Sequence, residues 1–297
     1  MRKVKIITDS CADLTAEQLK RYGIDYAKMS TVCDGVEAEA RLTWTAEEAH
    51  EFYDVMRGGR RITTAQVSVE EFLRVFEIYL TLGMDIVYIG CSSKQSGSVN
   101  TANVIAKRLM AEHEGSNIIC IDSLNASIGE GMLAIEAAKM ASRGASAAEI
   151  EEHILAVRKR VNEYVTVHSL DALRRAGRVK GAAAFFGNLM GVKPIIISDA
   201  NGEQAAYKKV KGRTRSFEAI VEMLKSSIID PEDQVIYLTH ADCSAEEVES
   251  LVAIIRREIP CRDVEVGLIG PIIGASIGPD AVGIWGFGRE VTYKIGD

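Results

Sequence analysis

Asp85-Ile86-Val87-Tyr88-Ile89-Gly90-Cys91-Ser92-Ser93-Lys94-Gln95-Ser96-Gly97-Ser98 is the stretch on which the fold turns. Ile86 to Ile89 are all β-branched or aromatic and predict a strand over 85–90, while the amphipathic spacing that follows predicts a helix over 98–113. Between them lies a loop of hydroxyls at a helix start, where backbone N–H groups and the positive end of the helix dipole favour an anion. Ser92, Ser93 and Ser96 add hydroxyl donors, so a carboxylate or phosphate fits, although the same serines could serve only as helix caps. The glycine spacings GxGxxG and GxxxxGK[ST] are both missing, which argues against a nucleotide pyrophosphate.

The same strand, loop and helix alternation extends outward on both sides. Strands are expected at 4–8, 25–32 and 117–122, and helices at 15–22, 45–57 and 69–82, which is the pattern of a parallel sheet flanked by helices. Ser68 and Glu71 have the spacing of a reciprocal capping box at the start of the third helix. Thr63-Thr64-Ala65-Gln66-Val67-Ser68 reads as a further polar loop leading into that helix. Asp9-Ser10 and Asp122-Ser123 each end a strand, and open α/β sheets bind ligands at the carboxyl ends of their strands. Several hydroxyl-bearing loops should therefore share one rim.

A helix pair over 129–162, broken at Gly144, closes this half, and the pattern then changes. A strand at 163–168 leads to a short helix stopped by Gly177. The runs 192–198 and 203–210 flank Asp199-Ala200-Asn201-Gly202, a strong hairpin signal. A helix at 215–228, a strand at 234–239, a helix at 244–258, a strand at 263–268 and a closing hairpin near 281–295 follow. The expectation is an α/β protein of two domains: 1–160 with a parallel sheet and anion-binding loops, and 161–297 with mixed α/β structure. The segment 181–191, small or apolar at nearly every position, predicts a helix that is buried all round or lines an apolar channel. Arg178 precedes it as a surface charge or an anion anchor. Gly270-Pro271 through Gly278-Pro279 marks a turn-rich path with close backbone approach.

Composition removes other classes. The net charge is −7 and no Lys/Arg stripe forms, so nucleic acid is not an expected partner. No run approaches the roughly 18 apolar residues of a membrane-spanning helix, and the apolar run before Asp9 is too short for a signal-peptide core, so a cytoplasmic protein is expected. The six cysteines show no CxxC pair and no metal-ligand spacing. They read as reduced thiols, with no metal. Of the five histidines, His240 ends a strand, but an ordinary hydrogen-bonded role outweighs a catalytic one, and Cys91 reads as a small buried side chain.

Taken in order, Thr8-Asp9-Ser10 with Ala12-Asp13-Leu14, Thr64-Ala65-Gln66-Val67-Ser68, Ser92-Ser93 through Ser98, Asp122-Ser123 with Gly129-Glu130-Gly131, Gly177-Arg178-Val179 and the two Gly-Pro steps resemble the DegV family over nearly the whole chain. The resemblance implies a carrier rather than an enzyme. One long-chain fatty acid, such as palmitate, stearate or oleate, would lie in a tunnel between two domains, with no cofactor and no catalytic residue. It implies that Thr64, Ser92, Ser93, Ser96, Gly97 and Ser276 surround the carboxylate. Arg178, Phe185, Phe186 and Leu189 would line the tunnel or face a partner. That partner would be a separate fatty acid kinase, with transient contact to a membrane surface. A tail of about C16–C18 buries many methylenes at about 0.8 kcal/mol each, so most of the affinity should come from the tail. Two departures stand out: Val67 replaces a usual proline, and Ser276 replaces a histidine, with Asp280 in place of the following motif's last glycine. Ser276 can hydrogen bond to a carboxylate but carries no charge. A serine-dependent hydrolase or acyltransferase, and a sensor of another amphiphile, are the alternative readings.

Overall fold

The computed structural model describes residues 2–168, 171–180 and 191–295. In chain order the first half runs β1 (Val4–Asp9), α1 (Ala16–Tyr22), β2 (Asp25–Ala27), β3 (Met29–Cys33), β4 (Val36–Ala40), α2 (Ala46–Arg57) and β5 (Ile62–Ala65). It continues through α3 (Val69–Thr81), β6 (Asp85–Gly90), α4 (Ser98–Glu112), β7 (Ile118–Asp122), α5 (Ile128–Ser142) and α6 (Ala147–Val157). Four of these strands form an all-parallel sheet in the order β2-β1-β6-β7. The chain leaves β1 toward β2 on one side and resumes at β6 on the other, so the topological switch point lies between β1 and β6.

The second half comprises β8 (Val161–Thr166), α7 (Asp171–Ala176), β9 (Val179–Lys180), β10 (Val192–Ser198), β11 (Gln204–Lys211), α8 (Arg213–Ser227), β12 (Val235–His240), α9 (Ala245–Glu258), β13 (Asp263–Leu268), α10 (Pro271–Ile277) and β14 (Val282–Phe287). Its strands form one mixed sheet in the order β13-β12-β14-β8-β10-β11-β9. The expected α/β class, with a helix-flanked parallel sheet followed by mixed structure, is what the chain adopts.

The helix between the two sheets explains how the layers join. In α5 every residue from Ile128 to Ile135 is buried, Glu130 being the one polar side chain among them. A helix apolar all round belongs inside, and α5 packs on β1 and β6 on one side and on β8 and β14 on the other. On its far face the mixed sheet buries Ile195, Ile284 and Leu238 against Phe217, Ile220 and Leu251 of α8 and α9.

Four local expectations need correction. The run 25–32 is not one strand: it breaks at Lys28, whose N–H donates to Glu71 at 2.9 Å. Beyond the break, β3 leaves the parallel sheet and pairs antiparallel with β4 and β5. Ser10 joins the two sheets, accepting the N–H of Met29 at 2.9 Å and donating to the carbonyl of Ala40 at 2.6 Å. The supposed polar loop at 63–68 therefore begins inside the strand β5, which runs to Ala65. The capping box at Ser68 is only half made. Ser68 accepts the N–H of Glu71 at 3.1 Å, but Lys28 and Arg74 draw the Glu71 carboxylate away. Complete boxes form instead at Thr15/Gln18, Thr45/Glu48 and Ser146/Glu149. Finally, 281–295 is not a hairpin: β14 has both edges taken, by β8 and β12, so no return strand can pair with it.

Candidate functional site

Asp9, at the carboxyl end of β1, organises the switch point. It is fully buried, and it accepts the N–H of Cys11 at 2.9 Å, the N–H of Cys91 at 3.2 Å and the hydroxyl of Tyr88 at 2.6 Å. One carboxyl thus fixes the loops after β1 and β6 against each other. Burial raises its pKa despite these donors. Glu130 of α5 lies beside it, accepting the Thr8 hydroxyl at 2.6 Å, and burial followed by the Asp9 charge pushes its carboxyl well above the usual range. Each of two such groups in one dry place disfavours the other's charge.

In front of this floor opens a cavity with about 1010 Å³ of empty space, mouth included. Register explains its back wall. Residues of β8 alternate, so Glu163 and Val165 face the cavity while Tyr164 packs toward α8. Directly opposite Val165 on β10 is Ile196, and opposite Glu163 on β14 is Trp285. The front wall is apolar: Ile269 with Ile272, Ile273 and Ile277 of α10.

The hydroxyl-bearing lining comes from both halves of the chain. Thr64 on β5, Ser96 and Gly97 before α4, and Ser276 on α10 all border the cavity. Gly97 caps α4 without a side-chain hydrogen bond, while the Ser96 and Ser98 hydroxyls pair at 2.9 Å. A second hollow adjoins this region. It shares Thr64, Arg178 and Ser276 with the cavity and is also bordered by Arg60, Arg61 and Arg175, so the rim is basic. Arg178 is exposed and donates to the carbonyl of Ala176 at 2.6 Å.

Ser92 and Ser93 do not join the lining. Ser92 is buried and donates to the carbonyl of Gly202 at 2.8 Å, and the Ser93 N–H donates to Asp122 at 3.3 Å. Both hold the loop in shape rather than face a guest. Phe185, Phe186 and Leu189 lie outside the described residues. Sequence reasoning missed Glu163, Gln204 and Trp285, which line the cavity with their polar atoms deep in the fold. The available signal was a carboxyl set among the apolar residues of a strand.

Hydroxyls and a basic rim at one part of a largely aliphatic cavity suit an amphiphile with an anionic head. The model of the uncharacterised DegV proteins matches residues 3–287 of this chain. The chain belongs to the DegV family. A DegV domain-containing protein of Clostridium perfringens is 32% identical over 292 residues, which cover 97% of this chain and 98% of the relative. Among solved structures, a DegV lipid binding protein from Thermotoga maritima matches at a TM-score of 0.84 with 29% identity, covering 98% of this chain and 100% of its own. A further Thermotoga maritima protein, described as revealing fatty acid binding function, matches at 0.83 with 27% identity over 97% of this chain and all of its own. Among the described residues, no helix is long and apolar enough to cross a membrane.

Proposed function

We propose that this DegV protein binds one long-chain fatty acid in the switch-point cavity and presents the carboxylate at the basic rim to a separate fatty acid kinase. The observation that carries the reading is the cavity itself: largely aliphatic walls from β8, β10 and α10, Ser96 on the lining, and Thr64 and Ser276 at the side that adjoins four arginines. In this reading residues 1–160 supply the loops that hold the carboxylate and residues 161–297 complete the tunnel. The lipid-binding descriptions of the Thermotoga relatives support it.

The serine-hydrolase alternative needs a base beside its nucleophile. The loop hydroxyls are engaged otherwise, Ser92 with a backbone carbonyl and Ser96 with Ser98. Purified protein is expected to carry a fatty acid of about C16–C18, because a large apolar cavity is poorly filled by water. Mass spectrometry of extracted lipids tests this, and delipidated protein that takes up neither palmitate nor oleate sinks the proposal.

A further inference from the structure

The back wall of the cavity contains a group that a plain hydrocarbon tail does not need. Glu163 sits in the cavity-facing row of β8 with Val161 and Val165, and its side chain is 5% exposed. An unpaired carboxyl among aliphatic side chains is costly, which is why such groups are rare unless something answers them. Here Trp285 donates its indole N–H to Oε2 at 3.2 Å. The indole is held in turn by two glycines: a Cβ on Gly129 would come within 3.1 Å of its Cδ1, and a Cβ on Gly283 would overlap the far edge of the ring. Gln204, 7% exposed on β11, borders the same part of the cavity. Burial lifts the Glu163 carboxyl to about 7, against the pull of Gln204 and Trp285, so near neutrality it carries a proton for much of the time. A protonated carboxyl both donates and accepts, as an alcohol does.

We infer that Glu163 and Gln204 form a polar subsite for a hydroxyl on the acyl chain, so that the preferred guest is a hydroxylated long-chain fatty acid rather than an unsubstituted one. This rests on the fatty-acid reading above and narrows it. Trp285 and Gln204 orient the carboxyl through their own hydrogen bonds, Val165 and Ile196 flank it on the back wall, and the guest hydroxyl uses the donor and acceptor capacity that remains. A site built around such a polar group discriminates against an analogue that leaves it unpaired.

The test titrates delipidated protein with stearate and with monohydroxystearates carrying the hydroxyl mid-chain or near the methyl end. At least one positional isomer is expected to bind about tenfold more tightly than stearate, which corresponds to about 1.4 kcal/mol. Glu163→Leu should bring that ratio to about one, and Glu163→Gln should preserve it, since an amide also donates and accepts. Gln204→Leu serves as the second variant should Glu163→Leu fail to fold, and it should lower the ratio. Native protein that favours stearate over every isomer, or a Leu variant at either position that keeps the preference, overturns the inference. Protein that binds stearate but no hydroxylated isomer overturns the inference alone, whereas protein that binds neither overturns it together with the fatty-acid reading.

Discussion

Asp13 accepts the backbone N–H of Gly270 at 2.8 Å, so a carboxyl in the turn after β1 fixes the start of α10 across the two halves of the chain. The other Asp13 oxygen accepts the Ser127 hydroxyl at 2.5 Å, which adds the start of α5 to the same junction. Burial pushes Asp13 up to about 7 even though both bonds pull it down. An unfolded aspartate titrates near about 3.9, so between roughly pH 4 and 7 the native state holds a proton that the unfolded state has lost. Stability is then greatest at the acid end of that window and falls as pH rises toward about 7, by about 1.4 kcal/mol for each pH unit crossed. Melting temperature should be lower near pH 8 than near pH 5. Asp13→Asn, which mimics the protonated form, should flatten the profile, and an unchanged slope in that variant would remove Asp13 as its source.

Arg57 of α2 reaches three acids: Asp54 at 2.9 Å, Asp242 at 2.7 Å and Asp280 at 2.7 Å. It ties α2 to the loops after β12 and α10, and His50 adds a contact to Asp242 at 2.8 Å. Arg57→Met should cost about 1 kcal/mol of stability at low salt and less at high salt, because such partly exposed networks are screened. Denaturant titration at two ionic strengths reads both, and an effect that does not change with salt would point to packing of the arginine stem instead.

Thr64→Ala and Ser96→Ala should each weaken fatty acid binding by about 0.5–3 kcal/mol, the range for losing a hydrogen bond to a charged group. Ser92→Ala should act differently, through the loop contact to Gly202, and so should lower melting temperature more than affinity. Equal affinity in the Thr64 and Ser96 variants would place the carboxylate elsewhere in the cavity.

Arg178 borders both the cavity and the basic hollow, yet its described hydrogen bond is to its own neighbour's carbonyl. Arg178→Ala should leave lipid binding within about threefold, under 1 kcal/mol, while lowering acyl phosphate formation with a cognate kinase much more. Ser276→His should raise that phosphorylation with little change in the lipid retained. Outright loss of lipid in Arg178→Ala would make the arginine a carboxylate anchor.

Gly283→Ala should destabilise by about 1–3 kcal/mol, the usual cost of overpacking a core. The added methyl meets the Trp285 ring, and Val165 closes the other way out at 2.8 Å. Thermal denaturation measures it, and fluorescence of Trp285 should report a displaced indole.

What the sequence could and could not reveal follows from the range of each interaction. The strands β1, β6 and β7 are legible because each is a short apolar run ending in a polar turn before a helix. The fate of β3 is not, since Asp25 to Val32 looks continuous and the break depends on Ser10 and Glu71, which are remote in sequence. In β4 the pattern gives no help, because four of its five residues are exposed. The rim hydroxyls of Thr64, Ser96 and Ser276 are legible as a polar edge to one cavity. The bonding of Ser92 is not, because its partner Gly202 belongs to a distant turn. Nor could Glu163 be matched to Trp285, since only the antiparallel register of β8 and β14 makes them neighbours.

The position of β14 bears on how the molecule comes into being. Among the described residues the strand latest in chain order, β14, fills the gap between β8 and β12 in the middle of the seven-stranded sheet. Until residue 287 is available, β8 and β12 each offer an open row of backbone donors and acceptors, the kind of edge that recruits foreign strands. Pairings that join such distant parts of a chain form slowly. A nascent or C-terminally clipped chain would therefore hold two separate half-sheets and leave the apolar flank of α5 bare, a strong substrate for chaperones and proteases. Loss of the final strand should thus show as failure to accumulate in the cell rather than as a trimmed but working protein.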